Sequence, residues 1–133
     1  MIDHLGIEVA DYAASRAFYE RLLATLGHGV VMEVTRDMTG AYEGCGVGPP
    51  GRPHFWVGRG SGTPGRGSHI AFSAQTRAQV DAFHAAALAA GARDNGAPGL
   101  RPHYHPDYYA AFAIDTNGHN IEAVCHLPAE AQS

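Results

Sequence analysis

The chain has 133 residues, of which 45% are hydrophobic and 17% are charged, a balance typical of a folded domain rather than a disordered segment. The formal net charge is -4 and no basic stripe stands out, which argues against a nucleic-acid partner. No apolar run approaches the roughly 20 residues of a membrane-spanning helix, and the N-terminal segment lacks the pattern of a signal peptide, so neither a membrane partner nor secretion is expected.

The first half predicts a strand, a helix and further strands, in that order. The strand DHLGIEV is followed by an amphipathic helix that begins after the N-cap Asp11 and ends at Gly27. Further strands are predicted near residues 30–35 and in RPHFWVGR, with EGCGVG interpreted as a glycine-rich loop. The two cysteines, Cys45 in that loop and Cys125, are too few for a disulfide framework, so free, unreactive thiols in a reducing cytoplasm are expected.

The second half repeats this order after a glycine-rich connector, GRGSGTPGRG. The short strand SHIAF precedes a helix between the N-cap Thr76 and Gly91, and His84 is expected at its surface. The predicted apolar face of this helix comprises Val80, Phe83, Ala87 and Leu88. A loop, RPHYHPDYY, then leads to a hairpin in which Asn117-Gly118 is expected to supply the positive φ of a tight turn.

The two halves are related by a repeat. His4 and His69 are 65 positions apart, and Trp56 and Glu122 correspond at an offset of 66. The predicted organisation is a single domain over 1–133, made of module 1 (about 1–60), a linker (about 58–67), module 2 (about 68–127) and a C-terminal tail (128–133).

The alternation of side chains along each strand predicts a metal site. His4, His69, Glu122 and Trp56 alternate with apolar residues that should pack on the helices, so these four side chains should lie on the opposite faces. If the modules close around a pseudo-twofold axis, all four face one cleft. Two imidazoles and one carboxylate suit a divalent ion, either a non-haem iron of the oxygenase type or a catalytic zinc.

Three stretches, DHLGIEVADYAASRAFYERLLATLG, GSHIAFSAQTRAQVDAFHAAALAAGA and DTNGHNIEAV, resemble the vicinal oxygen chelate superfamily. This superfamily includes glyoxalase I, extradiol dioxygenases, fosfomycin-resistance thiol transferases and bleomycin-resistance proteins. The resemblance implies an α+β fold, in which two βαβββ modules related by pseudo-twofold symmetry form an eight-stranded open barrel with the helices outside, commonly as a homodimer. It also implies that His4, His69 and Glu122 are the metal ligands. Trp56 occupies the place of a further glutamate ligand in glyoxalase I, which argues against a four-ligand site.

The expected function is that of an enzyme that depends on a divalent metal (Fe, Zn, Mn or Ni) and acts on a small molecule chelated through adjacent oxygens. Its reaction is either lyase or isomerase chemistry or dioxygenation of the extradiol type. The alternative is a metal-free protein that sequesters a small molecule, as bleomycin-resistance proteins do. The aromatic residues fit this alternative, whereas the symmetric histidines do not.

Other residues are candidates for catalysis or substrate binding. The proposed proton-transfer groups are Glu8, His103, His105 and Tyr109, and the proposed substrate-binding groups are Trp56, Tyr108 and Arg101. Each has a structural alternative: a solvated strand-end carboxylate for Glu8, core filling for Trp56, and a rigid surface loop that packs on a partner subunit for the segment from Arg101 to Tyr109.

Overall fold

The computed structural model describes residues 1–132, so Ser133, the last residue of the predicted C-terminal tail, lies outside the described residues. The chain separates into two compact units: the N-terminal unit, Met1–Gly65, and the C-terminal unit, which begins at Arg66. In the described part of the chain, no helix is long and apolar enough to cross a membrane.

The N-terminal unit consists of one four-stranded sheet and two helices. Its elements are β1 (Leu5–Val9), α1 (Tyr12–Ala24), β2 (Gly29–Val34), α2 (Arg36–Thr39), β3 (Gly44–Gly48) and β4 (Phe55–Arg59). The strand order is β1-β4-β3-β2, in which β1 and β4 are parallel and the other pairs are antiparallel. The predicted strands near 30–35 and in RPHFWVGR are confirmed as β2 and β4.

Helix α1 packs on one face of this sheet. The Asp11 side chain accepts a hydrogen bond from the Ala14 amide, so the predicted N-cap is confirmed. Gly27, at φ 84°, closes the C-terminus in a Schellman arrangement, in which the amide of His28 donates to the carbonyl of Leu23. The buried side chains of this core come from α1 and from strands β1, β3 and β4, and include Phe18, Tyr19, Leu22, Leu23, Val9, Val47, Phe55 and Val57.

The C-terminal unit repeats the architecture. Its elements are β5 (His69–Ser73), α3 (Arg77–Ala89), β6 (Arg93–Leu100), β7 (Tyr109–Ile114), β8 (Asn120–Cys125) and a short 3-10 helix (Ala129–Gln132). The strand order is β5-β8-β7-β6, in which β5 and β8 are parallel and the other pairs are antiparallel. The predicted hairpin is confirmed as β7 and β8.

Helix α3 is capped as predicted but differs from the prediction on its apolar face. The Thr76 side chain accepts from the Gln79 amide, and Gly91, at φ 99°, ends the helix in a second Schellman arrangement. Three of the four predicted core residues, Val80, Phe83 and Ala87, are fully buried. Leu88 is exposed, so its assignment to the core was wrong. His84 is buried instead, because its Nε2 lies 2.9 Å from Asp94 Oδ1 and this polar partner allows burial of the ring.

Strand registers confirm the repeat and the two βαβββ modules. In the first sheet Gly6 of β1 pairs with Trp56 of β4, and in the second Ala71 of β5 pairs with Glu122 of β8. Trp56 and Glu122 therefore occupy equivalent positions beside the first strand of their modules, as the sequence offset predicted. Both side chains lie on the sheet face opposite the helix of their own unit.

Two local expectations are corrected. The segment around Cys45 is not a loop but the fully buried strand β3, in which alternate glycines let the neighbouring side chains approach closely. Both cysteines are buried thiols, and burial raises the pKa of Cys45, in agreement with an unreactive residue. In the hairpin, the turn predicted at residues 116–118 is present as a three-residue loop, but only Gly118 supplies the positive φ, at 96°, and Asn117 does not.

Candidate functional site

A histidine–glutamate pair lies on the face of the second sheet opposite α3. His69 Nε2 lies 2.9 Å from Glu122 Oε2, and the Glu122 side chain is only 2% exposed. His69 begins β5 and Glu122 lies on the adjacent parallel strand β8, so the sheet itself brings the two side chains together. A carboxylate this buried needs polar partners, because an unpaired buried charge is strongly destabilising.

Tyr108 satisfies the other oxygen of Glu122. Its hydroxyl donates to Glu122 Oε1 at 2.5 Å. Burial, followed by the hydrogen bond to Glu122 and the charge of that carboxylate, raises the pKa of Tyr108 to about 12. Tyr108 therefore stays protonated near neutral pH and holds the carboxylate in one orientation.

Phe112 and Arg101 extend this face of the sheet. Phe112 pairs with Glu122 across the β7–β8 ladder, and its ring stacks on His69 with the ring centroids 6.2 Å apart. The Arg101 guanidinium lies 5.5 Å from the Phe112 ring centroid and donates to the carbonyls of Gly99 and Ala97. Arg101 thus holds strand β6 and covers Phe112, and these two hydrogen bonds compete with any role in binding substrate.

The predicted loop connects β6 to β7 and carries an aromatic cluster. Tyr104 contacts both His103 and Tyr108, with ring centroids 4.2 Å and 5.1 Å apart respectively. His126, which follows β8, packs edge-on against Tyr108, and its ring centroid is 5.8 Å from that of His105. The two candidate proton-transfer histidines are exposed. His103 is connected to Tyr108, the partner of Glu122, through Tyr104, and His105 is connected to Tyr108 through His126.

Tyr109 points to the other side of the sheet. Its hydroxyl donates to Asp81 of α3 at 2.7 Å, and burial together with this bond raises its pKa. Successive residues of a strand face opposite sides, so Tyr108 is directed to Glu122 and Tyr109 is directed to the helix. The structure separates these two adjacent candidates.

His4 belongs to the N-terminal unit and is the residue immediately before β1. Its Nδ1 is 2.6 Å from Asp3 Oδ1, and the hydrogen bond with His4 lowers the pKa of Asp3. Both side chains are exposed, and the contact at Nδ1 leaves Nε2 as the donor for a metal. The sequence signal for this contact is the Asp that directly precedes the His.

The Trp56 ring lies directly against Gly46 of β3. A Cβ on Gly46 would come 2.4 Å from Pro53 and 3.0 Å from the Trp56 indole, so only glycine allows the ring to lie this close to β3. Tyr42 covers Gly44 and Gly58 in the same manner. Two aromatic rings therefore lie along the face of the first sheet opposite α1, as a wall for a planar ligand requires.

Glu8 is held by the glycine-rich connector. Its Oε2 accepts from the Ser61 amide at 3.3 Å and lies 3.4 Å from the Ser61 hydroxyl. A Cβ on Gly60 would come 2.4 Å from the same carboxylate. Glu8 remains exposed, on the same strand face as Gly6 and Trp56.

The three predicted ligands are divided between the units: His4 belongs to the N-terminal unit, and His69 and Glu122 to the C-terminal unit. Within the described residues of either unit, no three His, Cys, Asp or Glu side chains form a group able to hold a metal ion. Of the three predicted ligands, His69 and Glu122 are the two that lie within one unit and contact each other.

Comparison of the sequence with models of known protein families identifies the family of this chain. The model of the Glyoxalase/Bleomycin resistance protein/Dioxygenase superfamily matches residues 1–123. The chain belongs to this superfamily. A comparison with curated proteins gave no match. The resemblance and the α+β fold expected from the sequence are thereby confirmed.

Solved structures of the superfamily have the same fold. A glyoxalase/bleomycin resistance protein from Albidiferax ferrireducens T118 is 30% identical, with a TM-score of 0.74 over 92% of this chain and 97% of that chain. The fosfomycin resistance protein FosX from Listeria monocytogenes is 17% identical, with a TM-score of 0.64 over 96% of this chain and 92% of that chain. A glyoxalase I mutant from Zea mays is 19% identical, with a TM-score of 0.67 over 92% of this chain but 45% of that chain. At these two lower identities the likeness concerns the fold alone.

Proposed function

We propose that the chain is a metal-dependent enzyme that acts on a small molecule chelated through two adjacent oxygens. The proposed ligands are His4, His69 and Glu122, and the proposed ion is Fe, Zn, Mn or Ni. The observation that supports this most is the contact between His69 Nε2 and Glu122 Oε2 at 2.9 Å on a sheet face opposite the helix. Assembly as a cytoplasmic homodimer is part of the same proposal.

The donor set fits a divalent ion. His69 Nε2 and Glu122 Oε2 lie 2.9 Å apart, close enough for both to be donors to one ion. The Asp3 contact at Nδ1 leaves Nε2 of His4 as a third donor. Trp56 has no donor for a metal, which favours three protein ligands and open positions for substrate oxygens.

A bound divalent ion would polarise the substrate oxygens and favour a developing enolate or catecholate. The chain's own residues orient the ligands and the substrate: Tyr108 holds Glu122, and Trp56 supplies a flat wall. Proton transfer is assigned to Glu8, His103 or His105. Tyr109 is left out of this assignment because its hydroxyl donates to Asp81 of α3. The reaction is either of the lyase or isomerase class or an extradiol-type dioxygenation.

A metal-free sequestering protein is the second candidate. The observation that favours it is the pair of rings, Trp56 and Tyr42, that lie on glycines of the first sheet. Such a surface binds a planar ligand by stacking and needs no ion.

Metal analysis of the purified protein distinguishes the two candidates. We expect about one divalent ion per chain in the wild type, and its loss in His69→Gln and Glu122→Gln. The matched control is His28→Gln, because His28 takes no part in the proposed site. Unchanged thermal unfolding would show that the variants remain folded. A wild type that binds no ion after exposure to Fe, Zn, Mn and Ni would contradict the enzyme and favour the sequestering protein.

A further inference from the structure

A pocket of about 430 Å³ in the N-terminal unit collects basic side chains around His4. This volume lies within the range of small-molecule sites, roughly 300–1,000 Å³. Its lining residues are Asp3, His4, Gly51, Arg52, Pro53, His54 and Trp56. Arg52 and His54 belong to none of the roles assigned above.

Arg52 is presented by a rigid turn. Its amide donates to the Pro49 carbonyl at 2.9 Å, Gly51 adopts φ 74°, and Pro53 fixes the backbone that follows. Among the described residues, the Arg52 guanidinium forms no ion pair, whereas Asp3 in the same pocket is already engaged by His4. The guanidinium and the adjacent imidazole therefore remain as donors for an external oxyanion.

A second, more apolar pocket shares two lining residues with the first. His4 and Trp56 also line this pocket of about 380 Å³, whose other lining residues are Gly6, Val34 and Tyr42. A molecule next to His4 can therefore have a charged group near Arg52 and a planar, apolar part along Trp56. This combination of surfaces restricts the chemistry of the ligand.

We propose that the substrate is an aromatic compound that carries a compact oxyanion, either a carboxylate or a phosphate, and that Arg52 and His54 bind this group. The inference rests on the proposed function, because His4 is one of the proposed metal ligands. It extends that function by specifying the substrate class and the residues that recognise it.

The chain offers a direct reporter for this test, since Trp56 is its single tryptophan. Benzoate, phenyl phosphate and the neutral benzamide are titrated into the purified full chain while the Trp56 fluorescence is followed. We expect at least one of the two anions to bind saturably and at least ten-fold more tightly than benzamide. Comparison of the two anions distinguishes a carboxylate from a phosphate.

Arg52→Gln should weaken binding of the preferred anion at least ten-fold and leave benzamide unchanged. The matched control is Arg66→Gln, an exposed arginine of the connector that lines neither pocket. Asp3→Asn should strengthen anion binding, because it removes a negative charge from the pocket. Equal binding of benzoate, phenyl phosphate and benzamide, no saturable binding of either anion, or an unaltered anion affinity in Arg52→Gln would overturn the proposal.

The titrations are repeated after treatment with a chelator. Anion binding that survives without metal and depends on Arg52 supports this subsite even if the metal analysis contradicts the proposed enzyme. Anion binding that is lost with the metal places the anion on the ion, and anion binding that is insensitive to Arg52 places it away from this pocket wall. Either result contradicts the subsite while the metal proposal stands.

Discussion

The hydroxyl of Tyr108 donates to Oε1 of Glu122 at 2.5 Å, while Oε2 of the same carboxylate faces His69. Tyr108 immediately precedes β7, and Glu122 lies in the middle of β8. The aromatic loop and the candidate metal ligand are therefore parts of one hydrogen-bonded network. We assign Tyr108 the role of orienting Glu122 rather than that of contacting substrate.

Removal of the Tyr108 hydroxyl tests this role. Tyr108→Phe should weaken metal binding roughly 10- to 100-fold, the effect expected when a partner of a metal ligand is removed. Tyr109→Phe is a matched control on the adjacent residue, because its hydroxyl donates to Asp81 of α3. Calorimetric titration with Zn²⁺ measures both affinities, and an equal loss in the two variants would show that the effect is not specific to Glu122.

The Tyr108–Glu122 bond also has a predictable pH dependence. The pKa of Tyr108 is raised from 10.0 to about 12 in the folded chain. The protonated hydroxyl therefore stabilises the folded state fully below about pH 10, and this stabilisation is lost as the pH rises through about 12. In a titration of phenolate absorbance, Tyr108→Phe should remove a component with a midpoint near pH 12. Glu122→Gln should shift that component to lower pH, because the carboxylate charge no longer opposes ionisation. A Tyr108 that titrates at its ordinary value in the wild type would refute the interaction.

Helix caps and strand alternation were readable from the sequence because they depend on local chemistry. Asp11, Thr76, Gly27 and Gly91 act as expected for this reason. Strand β6, RDNGAPGL, was not identified because its glycines and proline are tolerated only at a sheet edge, and the strand order was not known.

The aromatic loop could not be resolved from the sequence, because the start of β7 decides which tyrosine faces Glu122. Once Phe112 is known to pair with Glu122, Tyr108 falls on the same side and Tyr109 on the opposite side. Arg52 and His54 were missed for a related reason. Their significance depends on the turn that places them beside His4 in one pocket, which no spacing rule predicts.

The hairpin loop should depend strongly on Asp115. This buried carboxylate accepts from the amides of Asn117 and His119 and lies 2.9 Å from the His119 ring. Asp115→Ala should lower the free energy of unfolding by about 2–4 kcal/mol, since buried donors lose a charged partner. Thr116→Ala, at an exposed position of the same loop, should change it by less than about 0.5 kcal/mol. Similar values for both variants in urea unfolding would contradict the role of Asp115.

The close contact between Gly46 and the Trp56 ring leads to a further prediction. Gly46→Ala places a methyl group against Pro53 and the indole, so we expect a loss of about 1–3 kcal/mol in unfolding free energy and a shift in Trp56 emission. Gly29→Ala is the control, because nothing lies within 4 Å of a Cβ at Gly29. An unchanged emission spectrum in Gly46→Ala would show that Trp56 does not depend on this contact.

The most direct test of the metal proposal is an anomalous difference map, collected at the cobalt edge from crystals of the full chain grown with Co²⁺. We predict one strong peak per chain, within about 2.3 Å of donor atoms of His4, His69 and Glu122. A peak at other side chains, or no peak at these three residues at a saturating cobalt concentration, would contradict the proposed metal centre.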